Sequence, residues 1–474
     1  MRRFLAPLVA LGLLAGCSVN PVTGRSQTFL MAPATEARIG AAQHPRLVAE
    51  YGGVYADPAL AAYVSAIGRR IALRTGRPDG FGFTVLDSGT VNAFALPGGY
   101  IHVTRGLVAL AGDEAELASV LAHEIAHVTA RHSAERYRQA AIGELGVGLM
   151  GAALGGAVAS AAGLGADAYL SAYNRQQELE ADAIGLSYLA RAGYDPAALS
   201  RFLRRLDRDH ALRQRLTGAA DAGGGFRASH PRAARRIVQA DILVGPAVGS
   251  AGGIRNRDAY LAHIDGLVYG SGIGEGRIVG DAYGNLAAGI MWRAPPGFRM
   301  VQHGGTVEAF GPAGSRIVFD RVTLDRPVRA DAYLAVWMRE SGRPERLTIN
   351  GFPAATGLLR IDGRAGPKDA RLVAIRIGPS TVARFLFLTP APWTDRLDLD
   401  LRRATYSFHA LTAADRERFA PARIAIVPVP AGGIGPLIGR MPYATLPAER
   451  FAALNGLTPG ESPPPGTPVK LIVD

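Results

Sequence analysis

Two histidines and a glutamate stand close together in the run His-Glu-Ile-Ala-His at residues 123–127. The surrounding pattern predicts a helix over about 113–138, in which four residues advance by about 400° and place both imidazoles on one face. Neutral imidazoles one turn apart suit Zn²⁺, so His123 and His127 are predicted ligands, with Glu124 placed to take a proton from water. The alternative is that both histidines are ordinary polar residues of a helix.

A third ligand is predicted on the next strongly helical segment. Glu178 and Asp182 are four residues apart and share a helix face, whereas Glu180 lies on nearly the opposite face. We therefore predict that Glu178 completes a site for one Zn²⁺ per chain, and that Asp182 fixes the tautomer of a ligating imidazole. The alternative is a solvated acidic face. His132 lies about 140° round the helix from His127 and is interpreted as structural.

These two segments together resemble a known family. The run at 123–127, followed by Asn-Arg-Gln-Gln-Glu-Leu-Glu-Ala-Asp at 174–182, is similar to the gluzincin family of CAAX-prenyl-protease, HtpX and BepA-type zinc metallopeptidases. Residues 91–100 resemble that family's segment ahead of the zinc helix, and Asn-Pro-Val-Thr-Gly at 20–24 resembles its segment after a lipid-bearing cysteine. The similarity covers roughly residues 18–245 and fits the BepA-like bacterial lipoprotein branch best.

The resemblance implies roles for residues that spacing alone does not assign. Peptide substrates would add to an edge strand through main-chain hydrogen bonds. The strand residues are Asn92, Ala93, Phe94 and Ala95. His230 would approach the zinc, either as a fourth ligand at rest or as a catalytic donor to the oxyanion, with Arg236 supporting the ligands. The alternative for His230 is an ordinary residue at the start of a helix.

The N-terminus has the pattern of a secretory signal. A short basic start precedes the apolar run Phe4–Leu14, and Leu-Ala-Gly leads into Cys17. This sequence resembles a bacterial lipobox, which implies cleavage after residues 1–16, acylation of Cys17 and a lipid-anchored tether over 17–34. Ser18, by resemblance to known lipoproteins, favours the outer membrane. The alternative is an ordinary signal peptide with an incidental cysteine.

The composition predicts an α+β protein with three parts after the tether. These are a mostly helical metalloprotease domain with a small β-sheet over 35–245, a β-rich domain over 256–420, and a β-α-α-β end over 421–474. The end faintly resembles a LysM domain, which binds N-acetylglucosamine polymers, but it lacks the usual Gly-Asp-Thr. A small structural domain is the alternative. The β-rich domain carries no motif to which chemistry attaches.

Finer patterns predict individual elements. Within the protease domain, three short strands over 83–103 suggest a meander. The predicted helices other than the zinc helix cover 35–74, 169–192, 197–215 and 231–243. An apolar run at 333–337 is predicted to be a strand of the β-rich domain. The uncharged stretch 145–166 is long enough to cross a bilayer, but its many Gly, Ala and Ser residues favour a mobile or buried segment.

The charge balance points away from nucleic acid. There are 52 Lys and Arg residues against 40 Asp and Glu, a formal charge of +12, and only Lys368 and Lys470 are lysines. The arginines are scattered, whereas a nucleic-acid surface needs clustered charge. The predicted partners are polypeptide substrates and a membrane reached through the lipid anchor, with peptidoglycan or the outer-membrane assembly machinery as further candidates.

These patterns and the resemblance lead to one functional expectation and one rival. We expect a zinc endopeptidase on the periplasmic face of the bacterial outer membrane that cleaves misfolded or stalled envelope proteins, with Glu124 as general base. The alternative is a lipoprotein that binds peptidoglycan or assembly factors and whose proteolysis is latent.

Overall fold

The computed structural model describes two compact units. The described residues are 17–19, 24, 26–28, 32–136, 173–217, 226, 230, 233–248, 252–272, 274–303, 305–338, 343–363, 366–443, 445–458 and 460–474. The first unit lies within residues 1–269 and 423–473, and the second comprises 270–422 with Asp474. The predicted signal peptide, part of the tether and the stretch 145–166 lie outside the described residues.

The first unit begins with a short hairpin and two helices. Cys17–Val19 (β1) pairs antiparallel with Ser26–Thr28 (β2). The helical patterning predicted over 35–74 corresponds to two helices, because α1 spans Pro33–Glu50 and α2 spans Pro58–Ala72. Between the helices two consecutive glycines adopt φ of 85° and 92°, a region that L side chains rarely occupy, so the helix cannot continue.

The small sheet of the first unit has a different topology from the predicted meander. Its strands are Gly82–Leu86 (β3), Ala93–Leu96 (β4) and Tyr100–Thr104 (β5), in the spatial order β3-β5-β4. β4 and β5 are antiparallel, but β3 runs parallel to β5. The chain between β3 and β4 therefore crosses to the far side of β5 instead of making a tight turn. The consequence is that β4 is an edge strand.

The helix that carries residues 123–127 is shorter than predicted. Arg105–Leu110 (α3) leads to Glu114–Thr129 (α4), whose start is capped by the Asp113 side chain. The predicted end near 138 is wrong, because Arg131 adopts a left-handed φ of 62°. The Glu36 carboxylate of α1 accepts a hydrogen bond of 2.9 Å from Arg131 Nε and so helps to hold this turn.

Four further helices of the first unit lie among the described residues between 173 and 264. They are Arg175–Arg191 (α5), Ala198–Thr217 (α6), Ala233–Val248 (α7) and Arg257–Ile264 (α8). The helices predicted over 197–215 and 231–243 correspond to α6 and α7. α2, α4, α5 and α6 share one hydrophobic core with the sheet, and every residue of α4 is buried.

The C-terminal segment has the predicted β-α-α-β order and belongs to the first unit. Its elements are Arg423–Pro428 (β17), Gly435–Ile438 (α12), Pro447–Asn455 (α13) and Pro468–Val473 (β18), and the two strands pair antiparallel. Lys470 of β18 is buried and donates to the carbonyls of Ala109, Leu110 and Ala111 at 2.7–3.1 Å. Residues 423–473 therefore differ from the predicted separate domain, because they pack into the core of the first unit.

The second unit is β-rich, as expected. Its strands are Arg277–Val279 (β6), Ala282–Asn285 (β7), Ile290–Arg293 (β8), Arg299–His303 (β9), Thr306–Phe310 (β10), Arg316–Thr323 (β11), Glu345–Ile349 (β12), Phe352–Gly363 (β13), Gly366–Arg376 (β14), Thr381–Pro390 (β15) and His409–Ala410 (β16). An antiparallel seven-stranded sheet has the order β12-β13-β14-β15-β11-β10-β9, and a four-stranded sheet has the order β16-β8-β7-β6.

Three helices accompany these sheets. They are Ala330–Trp337 (α9), Thr394–Tyr406 (α10) and Ala413–Arg418 (α11). The strand predicted at 333–337 is wrong, because this run belongs to α9. Ala330, Leu334 and Met338 recur every four residues and are buried, whereas Val336 is 75% exposed, which is the pattern of an amphipathic helix. Within the described ranges, no helix has both the length and the hydropathy needed to cross a membrane.

Candidate active site

Four predicted residues converge in the interior of the first unit. One ligand atom each from His123, His127, Glu178 and His230 can be chosen so that all four lie within 4.8 Å of one another. The two histidine Nε2 atoms are 3.0 Å apart, and His127 Nε2 is 3.4 Å from Glu178 Oε1. All four residues are buried. The structure thus brings together the two helices that the sequence pattern selected.

Local sequence features explain how α4 and α5 meet here. Asn174 and Gln177 form a capping box that sets the start of α5 at Arg175, three residues before Glu178. One turn beyond Asp182, Gly185 faces the α4 backbone, and a Cβ at this position would lie only 3.1 Å from the backbone nitrogen of His123. The glycine therefore permits the close approach that places the α5 carboxylates beside the α4 imidazoles.

The donor set fits zinc. Two imidazoles and one carboxylate are the protein ligands of many catalytic zinc sites, and a tetrahedron with bonds of about 2.0–2.1 Å has edges of about 3.3 Å. The separations within the cluster, which run from 2.9 to 3.7 Å, are close to that edge length. Burial lowers the pKa of His127 well below its usual value, which favours the neutral imidazole that a metal binds.

His230 lies inside the cluster and is not a solvent-facing residue at a helix start. Its Nδ1 is 3.3 Å from His123 Nε2 and 2.9 Å from Glu178 Oε1, whereas its Nε2 is 3.4 Å from Glu124 Oε1. Its ring stacks on Phe226 at a centroid distance of 4.3 Å. One nitrogen therefore faces the predicted ligands, and the other faces the predicted general base.

Glu124 is fully buried, and its environment is unusual for a carboxylate. Among the described residues neither of its oxygens accepts a hydrogen bond. A buried carboxylate without partners is costly, and proteins retain such groups where function requires them. Because the neighbouring positions carry the ligand imidazoles, Glu124 is placed to accept a proton at the same site.

Asp182 and Arg236 hold the ligands from behind. Asp182 Oδ1 is 2.9 Å from His123 Nδ1, and Arg236 donates to both Asp182 oxygens at 2.7 and 2.8 Å. Arg236 Nη1 also lies 2.8 Å from Glu178 Oε2. Burial alone would raise the pKa of both carboxyl groups, but Arg236, joined at Glu178 by His230, lowers it in each case. Both carboxylates therefore stay ionised for binding and orienting.

Two residues in contact with the predicted ligand His127, and a third in contact with one of these two, were not assigned a functional role from the sequence. His132 Nδ1 lies 3.0 Å from His127 Nδ1, and His132 Nε2 lies 3.4 Å from Glu180 Oε2. The ring of Tyr173 stacks on His127 at 3.7 Å, and burial raises the pKa of Tyr173 to about 12. The helical-wheel argument for His132 failed because α4 ends before this residue, and the left-handed turn brings His132 back towards His127.

The predicted substrate strand corresponds to β4, the edge strand of the small sheet. Ala93, Phe94 and Ala95 belong to β4, and Asn92 directly precedes it. All four residues are buried, and the Ala95 carbonyl accepts a hydrogen bond of 3.2 Å from Ser133. A substrate strand at this edge would therefore have to displace the groups that now cover it.

Sequence comparison agrees with this geometry. Residues 58–243 match the model of peptidase family M48. The matched range is less than half of the 474-residue chain. The matched range contains α4, α5 and most of α7, and so includes every residue of the cluster described above.

Curated relatives support the same family. The chain is 34% identical over 206 residues to the "Beta-barrel assembly-enhancing protease" of Yersinia pestis, covering 41% of this chain and 42% of that protein. It is 34% identical over 163 residues to the protein of the same name from Escherichia coli, covering 32% and 33%. It is 31% identical over 222 residues to "Mitochondrial metalloendopeptidase OMA1" of Schizosaccharomyces pombe, covering 46% and 63%. The printed names describe all three relatives as proteases or peptidases, and one of them as a metalloendopeptidase.

The likeness to known proteins is partial. The matches span only 33–42% of the length of the bacterial relatives. A solution structure of cyanobacterial PsbP from Synechocystis covers 29% of this chain and 98% of that chain, at 12% identity and a TM-score of 0.23. Such a low TM-score carries no argument about fold or function.

Proposed function

We propose that this protein is a zinc-dependent endopeptidase of the bacterial envelope. The observation that carries the proposal is the convergence of His123, His127 and Glu178 around Glu124, whose oxygens accept no hydrogen bond from the described residues. A buried set of two imidazoles and two carboxylates at this spacing suits metal-assisted hydrolysis. The family match and the names of the relatives support the same chemistry.

Each residue has a distinct part in the proposed reaction. When bound by His123, His127 and Glu178, zinc supplies a Lewis acid and acidifies water. Glu124 accepts the proton of the attacking water and returns it to the leaving amine. Asp182 and Arg236 keep His123 and Glu178 oriented and ionised.

His230 has two possible roles that predict opposite outcomes. As a fourth ligand at rest, it blocks the site, and the variant His230→Ala should cleave faster than the wild type. As a donor to the oxyanion, it assists turnover, and the same variant should lose about two orders of magnitude in rate. The position of Nδ1 beside Glu178 Oε1 at 2.9 Å supports the resting role in the conformation described here.

Location and substrates complete the proposal. Residues 1–16 direct export, Cys17 carries the lipid, and residues 17–34 tether the protein to the periplasmic face of the outer membrane. The substrates are misfolded or stalled envelope proteins whose extended segments add to β4. The names of two bacterial relatives, which are proteases that enhance β-barrel assembly, support an envelope substrate.

Incorporation of radiolabelled palmitate tests the lipid anchor. The wild type should incorporate the label, and Cys17→Ala should not.

The decisive experiment separates metal binding from proteolysis. Glu124→Gln should keep one zinc per chain and reduce casein cleavage by about 10²–10⁴-fold, because it removes only the proton acceptor. Glu449→Gln, an exposed glutamate paired with Arg215, is the matched control and should cleave casein normally. Full proteolysis by Glu124→Gln would refute the assignment of the general base.

A further inference from the structure

We propose that the first unit contains a second binding site, an arginine-lined cavity that takes a compact oxyanion of the phosphate class. The cavity has a volume of about 210 Å³. Its charged lining consists of Arg201, Arg204, Arg205, Arg208, Arg255 and Glu116. Four of these arginines are paired with carboxylates, namely Asp195 with Arg201, Asp241 with Arg204, Glu116 with Arg205 and Asp113 with Arg255. The remaining excess of positive charge favours an anionic ligand, and the planar fork of arginine matches phosphate oxygens in pairs.

Four of these arginines come from one stripe of α6. Positions 201, 204, 205 and 208 follow the i, i+3, i+4, i+7 spacing, which places them side by side on one helix face. Like charges at such spacings repel one another, by about 0.2–0.5 kcal/mol per pair on an isolated helix. Part of that repulsion is offset by C-terminal backbone carbonyls, since Arg205 donates to Leu454 at 3.3 Å and Arg208 donates to Gly456 at 2.6 Å.

Arg201 supplies donors that the described protein groups do not satisfy. Its Nη1 pairs with Asp195 at 2.6 Å. Its Nε and Nη2 atoms are inaccessible to water, yet they donate no hydrogen bond within the described part of the chain. The nearest carboxylate oxygens are at 3.5 Å on Asp113 and 3.8 Å on Glu116. Buried donors without acceptors are costly, and an oxyanion in the cavity would satisfy them.

The electrostatic surroundings reinforce this assignment. Burial and then the nearby Arg205 lower the pKa of Lys470 well below its usual value. Burial lowers the pKa of Arg257 too, and Arg205 again contributes in the same direction. Arg205 therefore disfavours the charged forms of both Lys470 and Arg257, and an anion bound in the cavity would reduce this repulsion.

The cavity is distinct from the metal site. Glu116 lies in the first turn of α4, seven residues before His123, which corresponds to about 10 Å along the helix. Loss of the metal should therefore leave anion binding intact, and this separates the present inference from the proposed protease function.

The ligand is a phosphate group that is either free in solution or part of a lipid headgroup, and the experiment distinguishes these sources.

Calorimetric titration of the full-length protein with inorganic phosphate and with pyrophosphate tests the site. We expect saturable binding of one anion per chain. Arg201→Gln should weaken it by at least about tenfold, because a charge-assisted hydrogen bond is lost. Arg208→Gln is a second variant, in case the first does not fold. Arg215→Gln, on the same helix but paired with Glu449 outside the cavity lining, is the matched control and should bind like the wild type.

Vesicle flotation distinguishes the source of the phosphate. Vesicles of phosphatidylcholine alone are compared with vesicles that also contain phosphatidic acid, using the protein without its lipid anchor. Flotation only with phosphatidic acid, lost in Arg201→Gln and competed by inorganic phosphate, identifies a lipid headgroup. Binding of soluble phosphate without flotation identifies a free anion.

The proposal would be overturned if the wild type bound neither soluble phosphate nor the vesicles, or if the wild type and both arginine variants bound equally. Glu178→Gln should bind the anion normally.

Discussion

The two units bury very different side chains. In the interior of the first unit lie Glu116, Glu124, Asp182, Arg236 and Lys470, together with the histidines of the cluster. Among the described residues of the second unit, the buried polar side chains are only Asn285, Ser315, Thr389 and Thr405, none of them charged. The core of the second unit is instead aromatic and aliphatic, centred on Trp292, Phe319, Phe385 and Phe408.

This difference shows where the molecule holds its chemistry. Removing charges from water costs several kcal/mol per group unless partners compensate, so a chain gathers them in its interior only where they compensate one another or serve a function. The first unit accepts that cost around His123 and Glu178. The described part of the second unit buries no such charges. The predictions below test the contrast, from the largest expected effect to the smallest.

Removing the carboxylate ligand should abolish activity. Glu178→Gln leaves two imidazoles and should lose bound zinc, with a fall in casein cleavage of roughly a thousandfold or more, since a metal contributes several kcal/mol to the barrier. Metal analysis and a cleavage assay check this. The control is Glu345→Gln on an exposed position of β12. Retention of stoichiometric zinc by Glu178→Gln would remove this residue from the ligand set.

Replacing a paired arginine by methionine should lower the free energy of unfolding much more in the first unit than in the second. Arg236→Met leaves Asp182 and Glu178 buried without their cation and should lower the free energy of unfolding by about 3–5 kcal/mol. Arg384→Met breaks a pair with Asp320 that is about one quarter exposed, and should cost about 1 kcal/mol or less. Urea denaturation measures both. Equal losses of unfolding free energy in Arg236→Met and Arg384→Met would contradict the proposed difference between the interiors of the two units.

A cavity in the second unit should affect stability and not chemistry. Phe385 is fully buried and touches Trp292, Phe319, Phe387 and Phe408 at centroid distances of 4.7–6.1 Å. Phe385→Ala should lower the unfolding free energy by about 3–5 kcal/mol through lost contacts and a void. Zinc content of the folded protein should stay at one per chain. Loss of zinc in this variant would show that the second unit supports the metal site.

The contact between His132 and the predicted ligand His127 should strengthen zinc binding. His132→Ala removes the partner of His127 Nδ1 and should weaken zinc binding by about 10–100-fold, as expected for a residue that orients a ligand. Glu180→Gln should have a smaller effect in the same direction. Competition with a chelator gives the affinity, and excess zinc should restore cleavage. If excess zinc restores nothing, His132 acts on folding and not on the ligand.

The smallest effect is a pH dependence that comes from His102. Burial, followed by the neighbouring His44, lowers the pKa of His102 from 6.5 to about 3. Between these values the unfolded chain binds a proton that the folded protein excludes, so stability falls as pH falls. The loss from pH 7.5 to pH 5 is about 2 kcal/mol. His102→Asn should abolish this component in urea titrations at both pH values. An unchanged pH dependence in the variant would exclude His102 as its source.

Short-range patterns accounted for the centre of the candidate site. The helical repeat of 3.6 residues is enough to put His123 beside His127, and Glu178 beside Asp182, on the faces that meet. The capping residues before α5 are equally local. The predicted positions in this cluster needed no knowledge of the rest of the chain, because helix geometry links residues that are three or four apart.

Contacts between distant parts of the chain determined the features that local sequence patterns could not predict. His132 contacts His127 because the chain turns at Arg131, and Arg131 is held by Glu36, which is 95 residues away. The parallel pairing of β3 with β5 likewise depends on a crossover that strand patterns do not encode.

The sequence by itself therefore determined the metal-binding motif, its helices and the β-rich character of the second unit. Only the tertiary structure decided that the final β-α-α-β segment belongs to the core of the first unit, through Lys470 and the carbonyls at the end of α3. It also decided that α6 and the C-terminal segment gather arginines around one cavity. The physical reason is that periodicity reports local geometry, whereas such contacts join residues hundreds of positions apart.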